Sequence, residues 1–329
     1  MKKICVVGSF NIDIIATVNA FPRTSETVRC NSFDLFVGGG KGANQAVALG
    51  RLGADVMMVG RLGDRFYGPE YINVLKRNNV NCDTVDVIEN SYPGSAFVAV
   101  NGEGDNILFI HAGTNAMLDI SYIDANWDKI SERDIFLFQL EIPLETNLYA
   151  IEKLKKLGKT IILDPAPAMS LPIEIYRSVD FITPNEVELA QITGRKVSGS
   201  NDLLPAARIL LDRGVGTVVA KVGKNGSYVF DRHGARFAPP NIVKAIDPTA
   251  AGDTFNAAFA FALASGQDTE QCAHFANVVA AISTLAIGAQ NAMPTMQQVE
   301  EFLQRPQQSR KTQSSRQPAL STLGSHENE

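Results

Sequence analysis

Two stretches of this 329-residue chain place polar side chains where chemistry could occur. The first is DPTAAGDTFNAAFAFALASG, Asp247 to Gly266. Phe255, Ala258, Phe259, Ala262 and Leu263 fall at i, i+3, i+4, i+7 and i+8, the spacing of a helix that buries one face. Its first turn holds a carboxylate, Asp253, directly after Ala250, Ala251 and Gly252, which are too small to cover the backbone and leave the helix N-terminus bare. An acid in a first turn can serve stability alone, through the helix dipole. The second stretch is FVGGGKGANQAVALGRLGA, in which Gly38, Gly39, Gly40 and Gly42 surround Lys41 just ahead of another helix. Backbone without side chains can approach a ligand there, while Lys41 and Asn44 offer directed donors. A tight turn before a helix is the plainer alternative. A Walker loop is excluded because Gly42 follows Lys41 where Ser or Thr is required, and the third glycine of a dinucleotide fingerprint is missing. VGRLGDRFYG fails the same test.

These residues need a scaffold, and the sequence describes one. KICVVG, DVMMVG, DIFLFQL, KTIILD, VDFIT and GTVVAKVG are short apolar runs, as expected of strands buried on both faces. Helical patterns lie between them, over Ala43 to Leu52, Leu144 to Leu157 and Leu203 to Arg213. The alternation predicts an α/β fold: a central, mostly parallel sheet flanked by helices in three layers, with ligands at the carboxyl ends of the strands. Residues 11–37 and 95–111 look like extended strands and turns instead, the second with NGEGDN as a hairpin connection. Together they are expected to form a small β-sheet lid. From residue 305 to 329 the chain is polar and nearly free of aliphatics, the composition of a disordered tail.

Composition narrows the partners. A net charge of −5 and the lack of a basic run interleaved with aromatics argue against nucleic acid. The four cysteines have no C-x-x-C spacing and the four histidines do not cluster, so neither zinc nor a disulfide framework is indicated. Asn11 and Asp13 interrupt the early apolar run before it reaches signal-peptide length. No stretch approaches the roughly 18 uncharged apolar residues of a membrane span. The expectation is a cytoplasmic protein with a small-molecule partner and no membrane partner.

The chain resembles the ribokinase-like, PfkB-type carbohydrate kinases from Lys3 to about Phe302. GGGKGANQAVALGRLGA and DPTAAGDTFNAAFAFAL match the two family signatures in order and separation. NID at Asn11 to Asp13, QLE ending at Glu141, TPNEVE from Thr183 to Glu188 and KVGKNG from Lys221 to Gly226 resemble further family motifs. The resemblance implies one kinase domain over residues 1–304, with a ribokinase-like fold. It also implies ATP-dependent phosphorylation of a hydroxymethyl group on a small furanose, ribose or a related pentose. Phosphoryl transfer calls for positioning and donors aimed at developing charge. The N-terminus at Ala250, Ala251 and Gly252 would be the anion hole and Asp253 the base, a weak one near a helix dipole that mainly orients the hydroxyl.

The resemblance further implies that Asn11, Asp13, Gly39, Gly40, Lys41, Gly42, Asn44 and Glu141 line the sugar pocket with Asp253. Asn185, Lys221, Gly223, Gly226, Gly252 and Asn277 would meet ATP, with Lys221 standing where threonine or serine is common. Glu188 would hold Mg²⁺ through water, and Asn185 reads equally as a helix N-cap. A K⁺ site would draw on Asp247, Thr249, Ser283, Ala286, Gly288 and Ala292, the last where a hydroxyl is expected. A homodimer through the lid is also implied. Two rival readings are a nucleoside kinase of the same fold, with Phe97 or Phe109 as a slot for the base, and a sugar-binding sensor without chemistry. A sensor would have no need of Asp253 at an anion hole.

Overall fold

The computed structural model describes residues 1–304, and the proposed tail at 305–329 lies outside the described residues. In chain order the first half comprises β1 (Ile4–Val7), β2 (Asn11–Thr17), β3 (Ser32–Gly39), α1 (Lys41–Arg51), β4 (Val56–Gly63), α2 (Gly68–Arg77), β5 (Val80–Ile88), β6 (Gly94–Val100), β7 (Asn106–His111), α3 (Ile120–Ala125) and α4 (Trp127–Ser131). The second half comprises β8 (Ile135–Phe138), α5 (Leu144–Lys156), β9 (Thr160–Leu163), α6 (Ile173–Ser178), β10 (Phe181–Ile182), α7 (Glu186–Thr193), α8 (Ser200–Asp212), β11 (Thr217–Lys221), β12 (Ser227–Asp231), β13 (Gly234–Ala238), α9 (Ala251–Ala264), α10 (Thr269–Ser283) and α11 (Met296–Gln304).

Nine strands form the main sheet in the order β13-β12-β11-β10-β9-β8-β1-β4-β5. From β5 to β11 every pairing is parallel, and only the β11–β12 and β12–β13 pairings are antiparallel. Period-two alternation explains the unbroken apolar runs. Ile4 and Val6 of β1 enter the core layer beneath α1, α9 and α10, while Cys5 and Val7 enter the layer beneath α5, α7 and α8. All four side chains are fully buried.

Helix α9 departs from the one-faced helix that its spacing predicts. Thr254, Asn256, Ala257 and Ala260 are buried along with Phe255, Ala258, Phe259 and Ala262, while Leu263 is only half-buried. The helix lies between α1 and α10, and its alanines let both approach closely. Asp253 is therefore not a solvated charge at a helix end but a buried one. The bounds of α1 also differ from the pattern, because Lys41 and Gly42 already belong to its first turn.

The two extended segments join into one four-stranded sheet, β3-β2-β6-β7, with residues 18–31 outside its strands. Asp13 pairs with Ala96, so both point to one face. Phe97, next on β6, points to the other face and pairs with Phe109. Their rings lie 6.3 Å apart, half-exposed and exposed, on the side away from Asp13. That register removes Phe97 and Phe109 as a slot for a base beside Asp13.

Candidate active site

The chemistry-bearing side chains collect at the carboxyl ends of the parallel strands, where an α/β sheet of this kind binds ligands. Ser9 follows β1, Glu141 follows β8, Asp164 follows β9, Asn185 follows β10 and Lys221 ends β11. The first turn of α9 faces them. Between these elements runs a cleft of about 700 Å³ lined by Lys41, Asp164, Asn185, Glu188, Lys221 and Asp253, among others.

Asp253 is held on both oxygens. Asn44 Nδ2 donates to Oδ2 at 2.9 Å and Gln45 Nε2 donates to Oδ1 at 3.2 Å. Burial pushes its carboxyl up to about 6; Lys41 and the Asn44 hydrogen bond oppose this, while Asp164 and Glu141 add to it. A carboxyl raised by burial is a stronger base than an ordinary exposed carboxylate. The N–H groups at the start of α9 differ in their availability. Ala251 N–H donates to Pro248 O, so it is spent within the turn. The N–H groups of Gly252 and Asp253 have no hydrogen-bond partner among the described residues. Ala250 begins the helix in the left-handed region at φ 57, a conformation costly for alanine that aims this turn.

On one side of the cleft the structure brings Asn11, Asp13, Lys41 and Glu141 toward Asp253. Asp13 is pushed up to about 7, first by burial and then by the charges of Glu141 and Asp253, with Lys41 opposing. Its Oδ1 is buried without a partner, an acceptor waiting for a donor. A Cβ on Gly39 would lie 2.2 Å from Asp13 Oδ2, so only glycine lets that carboxylate sit here. Gly40 begins α1 at φ 84 and presses on Asn11 N, and Gly42 presses on Ser9 N. The bareness of Gly39, Gly40 and Gly42 thus also lets this loop pack closely against Asp13, Asn11 and Ser9. Asn11 Oδ1 accepts from Asn115 Nδ2 at 2.9 Å. Glu141 Oε2 accepts from Ser9 Oγ and from Lys41 N. The Lys41 ammonium makes no ion pair among the described residues; burial works against its charge, and Asp253, Asp164 and Glu141 outweigh burial to hold its proton firmly. Asn44 turns its amide nitrogen to Asp253 rather than to open space.

On the other side of the cleft, Asn185 and Glu188 cap α7 reciprocally. Glu188 N donates to Asn185 Oδ1 at 2.8 Å, and Asn185 N and Nδ2 donate to the two Glu188 oxygens at 2.7 and 2.8 Å. Burial raises the Glu188 carboxyl while Lys221 opposes it. Carboxylates facing a cleft suit a hydrated Mg²⁺, and with both oxygens already accepting, Glu188 fits contact through water. Lys221 Nζ lies 3.1 Å from Asp164 Oδ1. Gly223 has no neighbour where a Cβ would stand, whereas at Gly226 a Cβ would meet Ala238 O. Asn277 lines the cleft, with Nδ2 donating to Ala238 O and Pro239 O.

The residues implied for K⁺ come together only in part. Asp247 Oδ1 accepts from Thr249 N and Oγ1, and Oδ2 accepts from Gly288 N at 2.8 Å. Ser283 Oγ donates to Ala280 O of its own helix, Ala286 is exposed and Ala292 is buried. No cluster of three or more His, Cys, Asp or Glu side chains able to hold a metal occurs among the described residues.

Four residues that the geometry makes central carry little signal in the local sequence. Gln45 donates to both Asp164 and Asp253, with Gln139 Nε2 donating to its Oε1 at 2.7 Å. Asp164 ends the run KTIILD and read only as a strand terminator. Gln290 Nε2 donates to Asn44 Oδ1 at 3.2 Å and to Tyr71 OH at 2.6 Å. Only the polarity of Gln45 on the buried face of α1 was a usable signal.

A family model described as pfkB family carbohydrate kinase matches residues 1–296. The ribokinase of Bacillus subtilis is 38% identical over 303 residues, which is 92% of this chain and 100% of that protein. The deoxyribokinase of Salmonella typhi is 33% identical over 301 residues, 91% of this chain and 98% of that protein. Among solved structures, Arabidopsis thaliana ribokinase complexed with ribose and ATP matches with a TM-score of 0.87 at 31% identity, covering 92% of this chain and 99% of that one.

Proposed function

The chain belongs to the pfkB family of carbohydrate kinases, and from that premise we propose that it transfers the terminal phosphoryl group of ATP to the hydroxymethyl group of ribose or a closely related pentose. The observation that carries this reading is Asp253, a buried carboxylate held near 6 beside two unpartnered N–H groups at the start of α9. The sugar hydroxyl donates to Asp253, which orients it and accepts its proton as the bond to phosphorus forms. The N–H groups of Gly252 and Asp253 stabilise charge on the transferring group. Asp13 and Asn11 accept from and donate to the sugar hydroxyls, and Lys41 keeps the cluster of acids ionisable. Such a polar pocket discriminates by hydroxyl count, because a missing hydroxyl leaves a buried group unpaired.

ATP occupies the cleft between Asn185, Lys221, Gly223 and Asn277 in this reading. Glu188 would hold Mg²⁺ through water, and the ion would supply charge neutralisation at the phosphates. K⁺ would belong to it only as an activator near Asp247, held by oxygens of that carboxylate and of nearby backbone carbonyls. Residues 1–304 act as one kinase domain with residues 11–37 and 95–111 as its lid, and the enzyme works in the cytoplasm as a homodimer through that lid. No helix among the described residues is long and apolar enough to cross a membrane.

A nucleoside kinase is the weaker alternative, since Phe97 and Phe109 lie on the face away from Asp13. Deoxyribose is the closer rival, given the resemblance to the Salmonella enzyme. Measuring ATP consumption with ribose, deoxyribose, hexoses and nucleosides tests the assignment. Ribose is expected to give the highest kcat/KM. A preference for a nucleoside or hexose overturns the pentose, and no turnover with any acceptor overturns the kinase reading.

A further inference from the structure

Asp164 is a buried titratable group with no task in the mechanism above. It is 3% exposed and uses both carboxylate oxygens. Oδ2 accepts from Gln45 Nε2 at 3.0 Å and Oδ1 accepts from Lys221 Nζ at 3.1 Å. The same Gln45 nitrogen reaches Asp253 Oδ1 at 3.2 Å. One carboxylate therefore links the acid on α9 to a cation on the far wall of the cleft. A buried ion pair is weak evidence for stability, because desolvation offsets much of its attraction. The position of the cation supplies a better reason for it. Lys221 Nζ lies 3.7 Å from where a Cβ on Gly252 would stand, beside the two unpartnered N–H groups. An ammonium has three donors, and Asp164 takes one of them.

We propose that Lys221 is a catalytic residue that contacts the phosphoryl group in transit at the start of α9, and that Asp164 is the positioning residue that holds both Lys221 and Gln45. This inference rests on the sugar kinase reading. In that transfer the bond from the γ-phosphorus to its bridging oxygen breaks, a bond to the sugar oxygen forms, and the hydroxyl proton passes to Asp253. Lys221 keeps its protons throughout. Its charge offsets the negative charge on the equatorial and leaving oxygens, where a preorganised donor acts without reorganising. Because Asp164 fixes Lys221 and Gln45 together, the phosphoryl donor and the base are held in one geometry across the cleft.

Steady-state kinetics with ribose and ATP, together with calorimetry of ADP and of ribose, test the proposal. Lys221→Met is expected to lower kcat by about a hundredfold, the scale of a lost transition-state donor, while the ribose Kd stays within about threefold of the original. Lys221→Arg should recover part of that loss, since charge and reach are retained. Lys221→Met alone strands the Asp164 charge and can fail to fold. The double variant Lys221→Met with Asp164→Asn removes both charges together and should fold, bind ribose and remain slow. Asp164→Asn alone should raise the KM for ATP and lower kcat, by about tenfold, through loss of positioning. Turnover by the double variant within about threefold of the original overturns the proposal, as does an equal loss for Lys221→Met and Lys221→Arg. If the unmodified protein neither binds ADP nor phosphorylates any sugar, the kinase reading falls instead, so the two failures are distinct.

Discussion

At the residue scale, the site is a concentration of carboxylates that tolerate one another through a few cations and amides. Asp13, Glu141, Asp164 and Asp253 surround Lys41, and burial raises Asp13 to about 7 and Asp253 to about 6. A raised carboxyl is protonated on the acid side of its shifted value and ionised above it, so a base with this property works better as pH rises. At saturating sugar and ATP, kcat should fall as pH drops through about 6, where Asp253 takes up a proton. Sugar affinity should weaken below about 7, because ionised Asp13 is the stronger acceptor. Asp253→Asn should leave the sugar Kd nearly unchanged, lower kcat by roughly a hundredfold or more, and abolish the acid limb of the kcat profile. A near-normal kcat in this variant, measured from pH 5 to 9, removes Asp253 from the mechanism.

At the element scale, what the sequence revealed was whatever lies close together along the chain. The bare start of α9, with Ala250, Gly252 and Asp253 in succession, is visible in a single stretch. The alternation of apolar runs and helical patterns specifies the parallel sheet, because strands buried on both faces must be continuously apolar. The links between elements were not legible. Gln45 meets Asp253, Asp164 meets Gln45 and Gln290 meets Asn44 across separations of 208, 119 and 246 residues, and no local pattern records such contacts. Gln290 shows what this hides. It lies between β3 and α1, donates to Asn44 Oδ1, and thereby fixes which end of that amide faces Asp253. Its own Oε1 is buried without a partner, so the residue is retained at a cost. Gln290→Met should keep the fold and the ADP affinity while lowering kcat by about tenfold, the worth of one positioned hydrogen bond near 1.4 kcal/mol. Unchanged kcat would show that Asn44 holds its orientation unaided.

At the scale of the whole molecule, the small sheet has two faces with different duties. Asp13 and Ala96 point inward, over the acids of the main sheet. Phe97, Phe109 and Ile107 point outward while Leu108 and Ile110 share the face of Ala96, and the edge strand β7 is exposed along all six residues. A four-stranded sheet with an apolar outer face and an open edge is a hazard unless something covers it. A second copy of the chain fits, since the same strip on both partners makes a self-complementary contact. Phe109→Asp places a charge at its centre and should convert dimers to monomers in sedimentation experiments at micromolar concentration. The consequence for catalysis separates two arrangements of the lid. If the sheet moves as the sugar binds, ribose should slow amide exchange across residues 11–37 and 95–111, and a monomeric variant should lose sugar affinity because its lid is held down less firmly. If partner strands hold the sheet rigid, exchange there is already slow without sugar and ribose changes nothing. Exchange measured with and without saturating ribose, in the original protein and in Phe109→Asp, decides between them. Protection that appears only with sugar identifies a closing lid, and identical protection in both states shows a fixed wall that dimerisation alone completes.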